Sequence, residues 1–153
     1  MITITIDQPP NLRLSLPLPP DELQPNAGRG MPRNLRQAQG GVAARNRVIQ
    51  DYKSAAWAAW VAARKAQGMG ATEITGPVTL LLTFFWPSRR SASGRDRDNA
   101  AASFKAGQDG IADGLGVNDR HVTQLPPLFE VDEKDPRVEA AVYFEGIEWD
   151  RRR

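Results

Sequence analysis

The chain is 153 residues long, 41% hydrophobic and 25% charged, which suits one globular core and excludes a disordered polar chain. With no cysteine and a single histidine, His121, it excludes disulfides, thiolate nucleophiles, cysteine zinc sites and histidine-pair chemistry, so any catalysis falls to carboxylates. The formal net charge is +2, but the signs are segregated: Leu23 to Gln50 contains Arg29, Arg33, Arg36, Arg45 and Arg47 and no acid, while acids crowd between Glu130 and Asp150. No apolar run approaches the roughly 20 residues of a membrane helix, and Met1 to Thr5 lacks the basic start and long apolar stretch of a signal peptide. Both absences predict an intracellular protein with no membrane contact.

In chain order, Leu12, Leu14, Leu16 and Leu18 alternate with Arg13, Ser15 and Pro17, predicting a strand that ends among Pro17, Pro19 and Pro20. Residues 21–41 show no period of 2 or 3.6, which predicts a long, flexible loop of the kind that is functional or disordered. From about Val42 a stripe of Ile49, Tyr52, Ala56, Trp60 and Ala63 predicts a long helix, stopped by Gly68 and Gly70. Val78 to Trp86 is β-branched and aromatic and closed by Pro87, predicting a central strand largely buried on both faces. Ser88 to Gly94 reads as a polar, basic loop, and a second helix follows from Asn99 to about Asp113, stopped by Gly114 and Gly116. His121 to Phe129 and Arg137 to Glu145 read as two further strands joined by a turn at Glu133-Lys134-Asp135-Pro136, and both chain ends read as frayed.

This order predicts an α+β fold: a single domain over 1–153 with its core in about 12–145, a mixed sheet of about four strands, and two main helices packed on one face. The chemistry concentrates between the second and third strands. Asp96 and Asp98 flank one residue where a loop enters a helix. In an extended segment residues i and i+2 point the same way, so both carboxylates can face one cation; the alternative is that Asp98 caps the helix and Asp96 pairs with an arginine. On a continuous helix Lys105 and Asp109 fall within about 20 degrees of Asp98, so Lys105 either approaches a phosphate near Asp98 or pairs with Asp109. Asn118-Asp119 offers either a further carboxylate to the same site or a turn-forming pair.

Together, Arg95-Asp96-Arg97-Asp98-Asn99, Lys105, Asp109-Gly110, Asp113-Gly114-Leu115 and Asn118-Asp119 resemble the R-D-x-D-N…K…D-G-L…D-D core of the RusA-like Holliday-junction resolvases, phage-type members included. Leu16-Pro17-Leu18-Pro19-Pro20 and the later Asn26 resemble that family's L-P-x-P-P strand end and following asparagine, and the motif order agrees from Leu12 to Glu145. The resemblance implies a RusA-like fold, metal binding by Asp96, Asp98 and Asp119, and an essential basic residue, Lys105, near the scissile phosphate. It also implies a homodimer that cuts four-way DNA junctions in the bacterial cytoplasm, encoded by the cell or by a phage. Two positions depart from the pattern: Asn118 replaces the first acid of the D-D pair, and Lys105 stands seven residues after Asp98 where some members place lysine four after, a position held here by Ala102.

Phosphodiester hydrolysis needs an activated water and charge relief on the phosphoryl oxygens, which magnesium, or manganese in its place, supplies when held by carboxylates. Arg29, Arg33, Arg36, Arg89, Arg90, Arg95 and Arg97, with Asn26, are the expected DNA contacts, giving salt-dependent binding that positions the substrate without reading its sequence. The expected function is therefore a magnesium-dependent, structure-selective endonuclease of recombination and repair. Two other readings fit the same residues: a non-catalytic junction-binding protein, and a different metal-dependent branched-DNA or flap nuclease.

Overall fold

The computed structural model describes residues 9–25, 41–69, 72–74, 76–144 and 147–149. Three strands form most of the sheet, in the order β1 (Leu12–Leu16), β6 (Arg137–Phe144), β3 (Val78–Trp86), with β1 at the edge. β6 lies antiparallel to both of the others, with Leu12 opposite Val142, Leu14 opposite Ala140, and Leu80 also opposite Val142. That register stacks every alternate apolar side chain on one face, where Leu12, Leu16, Leu80, Leu82, Phe84, Val138 and Val142 are buried.

The long helix α1 (Gly41–Ala66) runs where the stripe placed it, burying Tyr52, Ala56 and Trp60 in the same cluster as the sheet residues. The Tyr52 hydroxyl donates to the Pro17 carbonyl at 2.7 Å, tying the helix to the proline-rich end of β1. Just past the helix, Gln67 accepts from the Arg13 amide at 3.3 Å and donates to its carbonyl at 3.0 Å. A side-chain amide thus stands where a neighbouring strand would, and it blunts the open edge of β1.

The expected four strands become five in the main sheet, because the segment read as one strand over His121 to Phe129 is two: β4 (Val122–Gln124) and β5 (Leu128–Val131). Both run parallel to β3, β4 against Val78–Leu80 and β5 against Thr83–Trp86, on the same edge. Pro126 and Pro127 separate them, since proline has no N–H to donate to a ladder. A two-stranded antiparallel sheet, β2 (Thr72–Ile74) with β7 (Ile147–Trp149), was not anticipated. The fold is α+β with a mixed sheet, and among the described residues no helix is long and apolar enough to cross a membrane.

β3 is central, as expected, but not closed on both faces. Val78, Leu80, Leu82, Phe84 and Trp86 are buried, whereas Leu81, Thr83 and Phe85 are half-buried, because the helices cover one face only. Part of the expected loop over 21–41 also has structure, a 3-10 turn at Asp21–Leu23 that buries Leu23 and whose Glu22 carbonyl accepts from Arg45. Asn26, Arg29, Arg33 and Arg36 lie outside the described residues, as do the expected frayed ends.

Candidate active site

Between β3 and β4 the chain builds three helices: α2 (Arg89–Ser93), α3 (Arg97–Ser103) and α4 (Lys105–Leu115). The first corrects the expected loop over Ser88 to Gly94. Ser88 caps it by accepting from the Ser91 amide at 3.1 Å, enough to nucleate a single turn in a polar stretch. Arg89 and Arg90 are exposed on it.

The helix expected from Asn99 to Asp113 starts two residues earlier and is broken at Phe104. Ser103 is the local cause: its hydroxyl donates back to the Ala100 carbonyl at 2.6 Å, competing with the helical ladder, and the Phe104 amide closes a tight i to i−3 bond to Ala101. Phe104 itself is fully buried, edge-on to Tyr52. The break invalidates the continuous-helix geometry that put Lys105 on the face of Asp98. Among the described residues Lys105 instead bonds Asp109 at 2.7 Å and Asp119 at 3.1 Å.

The start of α3 changes the reading of the two aspartates as well. Asp96, not Asp98, is the cap: its Oδ1 accepts from the Asp98 amide at 2.7 Å and the Asn99 amide at 3.1 Å. Asp98 is exposed in the first turn. Because Arg97 is already helical, the extended i, i+2 argument for a shared cation does not describe this segment.

α4 packs tightly on α1 through Gly110 and Gly114. A side chain at Gly110 would meet the Lys53 carbonyl and Ala56, and one at Gly114 would meet the Trp60 indole. Close approach fixes the helix, and Lys53 bridges to Asp113 at 2.9 Å across the seam. Gly116, at φ 71°, ends α4 in a left-handed cap with Val117 donating to the Ala112 carbonyl. The chain then reverses into a 3-10 turn, Asp119–His121, capped by the Asn118 side chain accepting from Arg120. Asn118 is spent on the turn, and the carboxylate delivered to Lys105 is that of Asp119.

The two partners of Lys105 tune it in one direction. Its hydrogen bond to Asp109, with that to Asp119 adding, raises its pKa above the ordinary lysine value, so the ammonium stays charged. Lys105 in turn holds Asp119 below the usual carboxylate range. Asp109, Asp113, Asn118 and Asp119, with Lys53, Ala112 and Val117, line a polar groove of about 340 Å³ that Asp96 and Asp98 do not line.

The three aspartates expected to bind a metal lie in two places. Asp96 and Asp98 adjoin at the start of α3, while Asp119 is engaged by Lys105. Among the described residues no three acids or histidines are grouped closely enough to hold a metal ion. What sequence reasoning missed is aromatic. The Arg95 guanidinium lies 4.2 Å from the centre of the Trp86 ring system, and that of Arg97 lies 5.4 Å from the Phe129 ring centre. The only local signal was a tryptophan closing β3.

No protein-family model matches the chain. Over 114 residues it is 34% identical to a protein of Xylella fastidiosa (strain Temecula1) that bears the name "Uncharacterized protein". The match covers 74% of this chain and 63% of that protein, so it spans just under two thirds of the relative's length. That name assigns no activity, and the functional reading rests on the residues.

Proposed function

We propose that this chain is a magnesium-dependent DNA endonuclease of the RusA-like resolvase kind, which hydrolyses phosphodiesters at four-way junctions as a homodimer in the bacterial cytoplasm. The observation that carries the reading is the contact of Lys105 with Asp119 at 3.1 Å. The two residues come from separate segments of the motif and meet only because α4 reverses at Gly116. A two-fold dimer would match the two scissile strands of a junction.

The donor chemistry fits a hard, oxygen-seeking cation at Asp96 and Asp98: Oδ2 of Asp96 is left over from capping, and the Asp98 carboxylate is exposed. Asp119 would join them only on release from Lys105. When bound, magnesium or manganese would supply an activated water and charge relief on the phosphoryl oxygens. Lys105 holds a positive charge beside Asp109 and Asp119, with an ammonium suited to a phosphate oxygen. Arg95 and Arg97 flank Asp96 and neutralise neighbouring phosphates, while Arg89 and Arg90 stand exposed on the preceding helix.

The test is incubation of the purified protein with a synthetic four-way junction, a flap and a linear duplex in magnesium. Junction cutting that Asp98→Asn abolishes is the expected result; no cutting of the junction, or undiminished cutting by that variant, refutes the reading. One observation favours a second reading, a non-catalytic junction-binding protein: among the described residues no three acids or histidines are grouped closely enough to hold a metal ion. Salt-sensitive junction binding with no metal-dependent cut would select it.

A further inference from the structure

Arginines on a surface are ordinarily mobile, and most contribute only net charge. Arg95 and Arg97 differ, because each lies over a ring and the two rings belong to one interlocked cluster. Trp86 and Phe129 meet edge to face at 5.3 Å, Phe84 stacks on Trp86 at 5.4 Å with planes 12° apart, and Phe84 meets Phe129 at 5.8 Å. Phe84 and Trp86 are buried, and β5 brings Phe129 to them by pairing with Thr83–Trp86. The platform is therefore rigid, made by the sheet rather than by a loop.

A guanidinium lying on an aromatic face spends its flat side on the ring and keeps its N–H edge for in-plane bonds. In the same structure Arg137 lies 4.0 Å from the Phe85 ring centre, and most of its edge is used, bonding Asp132, the Asp135 carbonyl and Glu139. Arg95 has an aromatic contact of nearly the same length and Arg97 a longer one at 5.4 Å, yet among the described residues neither bonds a carboxylate or a carbonyl through its guanidinium. Two like charges are held with their hydrogen-bonding edges unspent, an arrangement that favours an anion with several oxygens.

We infer that Trp86 and Phe129 are positioning residues that hold Arg95 and Arg97 as a paired clamp for the DNA phosphodiester backbone, set beside Asp96 and Asp98 before DNA arrives. The inference rests on the DNA-binding part of the proposed function and not on cleavage. Clamping at two adjacent phosphates would fix which phosphodiester lies over the carboxylates, and ordering the arginines in advance lowers the entropy lost on binding.

The experiment measures binding of a fluorescent duplex and a four-way junction by anisotropy in EDTA, across a salt series, for the wild type, Arg97→Ala, Phe129→Leu, Phe129→Tyr and Arg97→Ala/Phe129→Leu. Arg97→Ala should weaken binding about 10-fold and reduce the slope of log K against log salt by about one. Phe129→Leu keeps every charge, so it should weaken binding about 3- to 10-fold with the slope unchanged. Phe129→Tyr should restore wild-type affinity, and the double variant should bind no more weakly than Arg97→Ala. Additive losses, a Phe129→Leu variant that binds like wild type, or the absence of salt-dependent binding would each overturn the inference.

A second measurement needs neither DNA nor a substitution: the Arg97 side-chain protons of the free protein should show an upfield ring-current shift by NMR. Random-coil positions for them would overturn the inference even if Phe129→Leu failed to fold. Binding by a protein that never cuts leaves the clamp standing and refutes the endonuclease; cutting with additive losses does the reverse.

Discussion

Arg137 and the pair Arg95 and Arg97 use the same aromatic contact for opposite ends. Arg137 starts β6, its side chain is only 18% exposed, and it is bonded to Asp132 at 2.8 Å and to Glu139 at 2.9 Å. That arrangement closes the turn between β5 and β6, since Asp132 also accepts from the amides of Lys134 and Asp135. Arg95 and Arg97 sit on rings of β3 and β5 at the mouth of α3, with acids next to them in sequence but no bond to those acids among the described residues. A cation on an aromatic ring is thus not itself a sign of function. What distinguishes the two regions is where the remaining N–H groups go.

The largest effect expected in the Arg95 to Asn99 region is on turnover. Asp98→Asn should lower junction cleavage by more than about 100-fold while anisotropy shows the junction still bound, because among the described residues the exposed Asp98 carboxylate makes no bond that the change would break. Equal losses of binding and cleavage would count against it. Arg137→Ala should do the opposite, lowering the urea midpoint of unfolding with no change in DNA affinity, since it leaves Asp132 and Glu139 without their cation. If Arg137→Ala weakened DNA binding as much as Arg95→Ala, the contrast between the two regions would collapse.

Gly110→Ala tests the seam that fixes α4 and so the position of Lys105. The added methyl faces the Lys53 carbonyl, a backbone atom that cannot swing aside, so overpacking of about 1–3 kcal/mol should exceed the gain of about 1 kcal/mol in helix propensity. Thermal melts should show net destabilisation. The smallest effect is a pH dependence. Asp132 has its pKa lowered, first by its hydrogen bond to Arg137, so its contribution to stability is complete above the unfolded carboxylate pKa and is lost as pH falls through the folded value. Melting temperatures between about pH 5 and pH 2 should therefore fall less steeply for Asp132→Asn than for the wild type.

Much of the scaffold was legible because burial on one face leaves a periodic trace. The leucines of β1 and the Tyr52-Ala56-Trp60 stripe of α1 went where their spacing placed them, and the apolar run of β3 went to the centre of the sheet. The candidate site was legible as residue types and order, not as geometry. Asp96 and Asp98 looked equivalent until the helix start assigned one of them to capping, and the Ser103 back-bond that breaks the helix before Lys105 is a matter of one hydroxyl rotamer.

By itself, the sequence determined an α+β chain without cysteines in which any catalysis would fall to carboxylates, since composition and period are local properties. Only the tertiary structure decided that β4 and β5 share one edge of β3, that Lys105 meets Asp119, and that Phe129 comes under Arg97. Each of these joins residues across a chain reversal, where the pairing depends on how strands and helices register against one core rather than on spacing along the chain.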